Sequence, residues 1–115
     1  MSDQNDLACK VEPIDDGVVV HVSGEINVEH SPQLRVDLLK LLEQRPARLI
    51  VHLGNVPFMD SSGVAVFVEA YRMQRPEGRM LVLCAMSPKV RSIFEISKLD
   101  TVFTIVDDLE AAVKA

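Results

Sequence analysis

The sequence predicts an α/β fold, a mixed sheet of about five strands with about four helices packed on it. Three observations predict this. Apolar runs rich in β-branched residues alternate with segments of helical period along the chain. The first two runs flank Asp15-Asp16-Gly17, a turn signal of the Asp-Gly kind, so they should pair as a hairpin. The run Leu49-Ile50-Val51-His52-Leu53 is almost wholly apolar, which fits a central strand buried on both faces.

Taken in order, residues 1–6 are polar and acidic and should be a loose, solvated start, with residues 7–115 forming one domain. Residues 7–12 form the first strand and Val18-Val19-Val20-His21-Val22 the second, which Gly24-Glu25-Ile26-Asn27 ends. Ser31-Pro32 opens a helix, with Ser31 as its N-cap and Pro32 in its first position. Leu34, Leu38, Leu41 and Leu42 make one apolar stripe at helical spacing, and Pro46 marks the exit. After the central strand, Asn55-Val56-Pro57 breaks the chain. A second helix begins near Ser61 and runs to about Gln74, followed by a turn at Pro76-Glu77-Gly78. Residues 80–85 form another apolar strand. Ser87-Pro88 repeats the helix-opening pattern, Val102–Val106 form the last strand, and Asp107 caps a short terminal helix over 108–113.

Composition narrows the function. The chain has 115 residues, 48% of them apolar and 25% charged, with a net charge of -5. It lacks the basic stripe by which nucleic-acid binders displace counterions, and the acidic balance disfavours anionic lipid. No apolar run approaches the ~20 residues that span a bilayer, and the N-terminus is unlike a signal peptide. The cytoplasm is the simplest location. Cys84 reads as a small buried hydrophobe. His21 and His52 fall in strands and His30 in a loop, where it should face solvent. None belongs to a metal-binding spacing, so neither a metal nor another cofactor is expected. Ser61 does not sit in a Gly-x-Ser-x-Gly elbow and no P-loop is present, so catalysis is not expected.

The informative stretch is Phe58-Met59-Asp60-Ser61-Ser62-Gly63, between the buried strand and the second helix. Asp60, Ser61 and Ser62 all favour a helix N-terminus, and a capped helix with Gly63 for close packing would account for them. A helix N-terminus is also an anion site, so a phosphate on Ser61 would be tolerated there. It would add about -1.5 to -2 charge without unfolding the domain. Within the helix, Val64, Phe67, Val68 and Tyr71 make one apolar stripe, and Val66, Ala70 and Met73 a second. The second stripe is either covered by the neighbouring helix or partly exposed for docking, with Val66 and Met73 touching a partner.

Asp60-Ser61-Ser62-Gly63, with Phe58-Met59 before it and an apolar helix after it, resembles the signature of the STAS domain. It is most similar to the anti-sigma factor antagonists of bacteria. Gly24-Glu25-Ile26-Asn27 resembles that family's Gly-Glu-Leu-Asp segment. Cys84 to Pro88, then Val90 and Phe94 through Leu99, resemble its third-helix region. The similarity runs from about residue 8 to 113. It implies a phosphorylation switch and not an enzyme. Ser61 would be the acceptor, Ser62 the second choice, and Asp60 and Gly63 would complete the motif. Gly24, Glu25 and Asn27 would lie beside the site. The implied partners are an anti-sigma factor that is also a serine kinase, which the unphosphorylated chain binds so that a sigma factor is freed, and a metal-dependent serine phosphatase. Asn27 departs from the family's aspartate at that position. The alternative is a non-phosphorylated STAS binding subunit of a transporter or signalling scaffold.

Overall fold

The computed structural model describes residues 6–115. The loose start expected over residues 1–6 lies, except for Asp6, outside the described residues. Five strands form one sheet in chain order, β1 (Ala8–Ile14), β2 (Gly17–Ser23), β3 (Arg48–Asn55), β4 (Met80–Cys84) and β5 (Thr104–Val106). β1 is antiparallel to β2, and the remaining pairs are parallel. Helices α1 (Ser31–Leu42), α2 (Ser61–Gln74), α3 (Pro88–Ile96) and α4 (Leu109–Lys114) complete the chain, with a 3-10 turn at Arg75–Glu77. The mixed five-strand, four-helix expectation holds.

The alternation of side chains along β2, β3 and β4 divides the core between the two sheet faces. Val20, Val22, Leu49, Val51, Leu53, Leu81 and Leu83 face α1, α2 and α3, and meet Leu34, Leu38, Phe67, Ala70, Val90 and Phe94. Val19, Ile50, Val82 and Cys84 face the other way, where the short α4 covers them with Ala112. β3 is central and its Leu49, Ile50, Val51 and Leu53 are fully buried, as the unbroken apolar run required. Arg48 ties α4 to the sheet. Its guanidinium donates to Asp16 Oδ2 at 3.0 Å, to the Ala112 carbonyl at 3.1 Å and to the carbonyl of Ala115.

Four local expectations shift. The hairpin turn is Asp15-Asp16, and Gly17 is already paired with Ile14 and Arg48. A Cβ on Gly17 would lie 1.8 Å from the Arg48 carbonyl oxygen, so glycine serves close strand approach there. Ser31 is not the N-cap of α1. His30 occupies that position with no side-chain cap, which puts Pro32 second in the helix. Asn27 holds this end instead, its Oδ1 accepting from the N–H groups of Glu29 and His30, each at 3.0 Å. β5 is shorter than expected because Phe103 turns into the core, its ring 5.5 Å from both Phe94 and Tyr71, before strand pairing begins. Asp108, not Asp107, caps α4 by accepting from Ala111 N–H at 2.8 Å.

Candidate functional site

The β2–α1 and β3–α2 loops extend the parallel pairing of their strands beyond the sheet. Gly24 N–H donates to Asn55 O at 3.1 Å, Ile26 N–H to Phe58 O at 3.0 Å and Asp60 N–H to Ile26 O at 3.0 Å. Ile26 and Met59 form a parallel bridge and are both buried. The two motifs singled out in sequence, Gly24 to Asn27 and Asp60 to Gly63, are therefore one structure. Gly63 makes this possible, because a Cβ there would come within 2.5 Å of Ile26 Cγ2 and 2.7 Å of Met59 Cγ. Glu25 is half-buried and its carbonyl is 3.1 Å from His30 Nδ1. His30 is thus partly buried rather than solvent-facing.

Asp60 is the N-cap of α2 in extended conformation, with its Oδ1 accepting from Ser62 N–H at 2.9 Å and from the Ser62 hydroxyl. Partial desolvation pushes its carboxyl up. Hydrogen bonds from the Ser62 hydroxyl and from the backbone N–H groups of Ser62, Val28 and Gly63 outweigh this and hold it below the usual carboxylate range. Asp60 is thus a fixed negative charge that already uses donors of the first turn.

The two serines differ sharply. Ser62 is half-buried and its hydroxyl is committed to Asp60. Ser61 is exposed at the first position of α2, and its hydroxyl makes no hydrogen bond among the described residues. Two apolar side chains stand exposed on the same loops, Val28 at 74% and Phe58 at 36%. The Lys89 ammonium, on the first turn of α3, sits 5.6 Å from the centre of the Phe58 ring. Val28 and Lys89 were not singled out in sequence. An apolar residue between Asn27 and Glu29, outside any periodic run, was the available signal for Val28.

Val66 and Met73 do not join this cluster. Val66 is 7% exposed, beneath α1 at the floor of a shallow groove that Ser62, Ala65 and Arg35 also line. Ala70 is buried and Met73 half-buried, so the second stripe of α2 is the one covered by its neighbour. Arg35 of α1 clamps the two helices with a bidentate pair to Glu69, at 2.8 and 2.9 Å.

The other reactive side chains are engaged in structure. His21 Nε2 is 2.8 Å from Glu12 Oε1, and burial pushes the thiols of Cys9 and Cys84 up to about 12 and about 11. Among the described residues, no three His, Cys, Asp or Glu side chains come together as a metal site. None of the described helices is long and apolar enough to cross a membrane.

The family model described as the STAS domain matches residues 9–112. The chain belongs to the STAS domain family. This STAS chain is 34% identical over 104 residues to the anti-sigma-B factor antagonist of Bacillus subtilis strain 168, covering 90% of this chain and 94% of that protein. Its fold superposes on the crystal structure of an anti-sigma factor antagonist from Mycobacterium paratuberculosis with a TM-score of 0.89 and 26% identity, covering 99% of this chain and 97% of the other. It also superposes on the Bacillus cell fate determinant SpoIIAA in its phosphorylated form, with a TM-score of 0.71 and 25% identity over 93% of this chain and 98% of the other. In this STAS domain the paired loops and the start of α2 form the surface that carries the signature.

Proposed function

We propose that this chain is an anti-sigma factor antagonist of the bacterial cytoplasm, a protein-binding switch without catalytic activity of its own. Unphosphorylated at Ser61, it sequesters an anti-sigma factor that is also a serine kinase, and a sigma factor is released. Phosphorylation of Ser61 ends the complex, and a metal-dependent serine phosphatase restores it. The observation that carries this reading is the exposed, uncommitted Ser61 hydroxyl at the mouth of α2, beside a Ser62 hydroxyl held by Asp60. The similarity to antagonists named for anti-sigma factors, and to one solved in a phosphorylated form, supports it.

Asp60 accepts from first-turn N–H groups, so a phosphate on Ser61 would not be drawn into the cap. It would project outward and carry about -1.5 to -2 charge into the contact surface. Val28 and Phe58, exposed on the two paired loops, supply apolar contact area for the unmodified state. Charge arriving among such contacts is desolvated when the partner docks, which raises the cost of binding without touching the core.

The test is mass spectrometry of the protein after incubation with ATP and the serine kinases of its host that have the histidine-kinase ATP-binding fold. Phosphate should appear on Ser61 and be lost in Ser61→Ala. Ser61→Asp should weaken the complex at least tenfold and leave the melting temperature nearly unchanged. Labelling elsewhere, or a Ser61→Asp protein that binds as the wild type does, would overturn the reading.

A further inference from the structure

At the far end of α2 from Ser61, about 20 Å away along a helix of ~1.5 Å rise per residue, a cleft of about 360 Å³ opens between the last turns of α2 and the loop entering β5. Its floor is apolar and aromatic. Phe103 is 5% exposed, Tyr71 meets it edge-on at 5.5 Å, and Leu99 and Val102 form the opposite wall. Arg72 and Arg75 line the rim, and the Arg75 guanidinium lies 5.8 Å from the centre of the Tyr71 ring.

The arginines set this cleft apart. Arg35 pairs with Glu69, Arg45 and Arg79 with Glu77, Arg48 with Asp16, and Arg91 with Glu95. Arg72 and Arg75 are the two arginines with no carboxylate at ion-pair distance among the described residues, and both border the same apolar hollow. On a chain of net charge -5, acidic groups are abundant, so two adjacent uncompensated guanidiniums are a local positive feature against the global sign. Guanidinium groups beside an apolar floor match a carboxylate carried on an apolar body, and the volume lies within the range of small-ligand sites.

We propose that this cleft binds a small anionic amphiphile, a single carboxylate on an apolar chain or ring. The carboxylate sits between Arg72 and Arg75 and the apolar body covers Tyr71, Leu99 and Phe103. The site is separate from Ser61 and does not depend on the switch reading.

Octanoate is the probe, titrated into the full-length, isotopically labelled protein and followed by amide proton–nitrogen correlation spectra. Saturable shifts should cluster at residues 68–75 and at 99–103. 1-Octanol, with the same chain and no charge, should bind at least fivefold more weakly. Arg72→Gln combined with Arg75→Gln should weaken octanoate at least fivefold. Both side chains are exposed, so the fold should persist. Val102→Glu, at a 44% exposed wall position, should do the same by repulsion. No saturable shift, octanol binding as tightly as octanoate, or variants that bind as the wild type does would each overturn the proposal. Shifts from an acetylated Leu-Asp-Glu-Leu peptide but not from octanoate would assign the cleft to a protein segment and overturn it as well.

Discussion

Ser62 gives both its hydroxyl and its backbone N–H to the Asp60 carboxylate, and Ser61, one residue earlier, gives neither. The asymmetry predicts how the two serines respond to substitution. Ser62→Ala should remain labelled at Ser61 by a cognate kinase and ATP, while losing about 1 kcal/mol of stability with the hydrogen bond. Site mapping by mass spectrometry and a urea titration check both halves. Loss of labelling in Ser62→Ala would move the acceptor to the second serine.

Gly63→Ala tests the joint between the two signature loops. A methyl group would intrude on Ile26 Cγ2 and Met59 Cγ, and overpacking of this kind costs about 1–3 kcal/mol. Alanine recovers about 1 kcal/mol of helix propensity. The net expectation is a loss of about 1 kcal/mol in urea unfolding, together with weaker partner binding as the loops separate. A more stable variant would show that Ile26 and Met59 yield freely.

Gln74 closes the opposite end of α2. It is 1% exposed, and its side-chain amide donates to the carbonyls of Pro46 at 3.1 Å and Met80 at 2.9 Å, while its Oε1 accepts from Arg79 Nε at 3.0 Å. Gln74→Leu keeps the approximate volume and removes all three bonds. Leaving such groups unpaired should cost about 2–3 kcal/mol, read as a lower urea midpoint at unchanged slope. A change within about 0.5 kcal/mol, the range of neutral surface substitutions, would mean that water replaces the amide.

His21 and His52 face each other in register on the sheet face opposite α1, α2 and α3, with ring centroids 5.2 Å apart. Burial lowers the His52 pKa, and the charge of His21 lowers it further. The folded chain therefore prefers the neutral imidazole more than the unfolded chain does. This preference leaves stability intact above the unfolded value of about 6.5 and removes it as pH falls from there towards the folded value. Glu12 pairs with His21, and Lys10 lies opposite His21 in β1. Urea midpoints should fall between pH 8 and pH 5, and His52→Gln should flatten the fall. Parallel curves for the two proteins would exclude His52 as the cause.

The sheet, its helices and the signature at Asp60 to Gly63 were legible in the sequence because they rest on local rules. Alternation marks strands, helical spacing marks Leu34 to Leu42, and the Asp-Ser-Ser types mark a helix start. Ser87 was readable as a cap for the same reason, and its hydroxyl accepts from Val90 N–H at 3.2 Å. The local rule failed at Ser31, since a hydroxyl beside proline looks like a cap whether or not Asn27, four residues earlier, already holds the turn.

The sequence alone determined which segments form strands and helices, because backbone preference and apolar spacing act within a few positions. It also determined where the signature lies. Tertiary structure decided what those residues meet. It placed Gly24 to Asn27 against Asp60, closed α1 over Val66, committed Ser62 while leaving Ser61 exposed, and set two arginines with no carboxylate partner among the described residues beside one apolar hollow. Each of these depends on atoms far apart in the chain, and burial and ion pairing arise only when packing brings such atoms within contact distance.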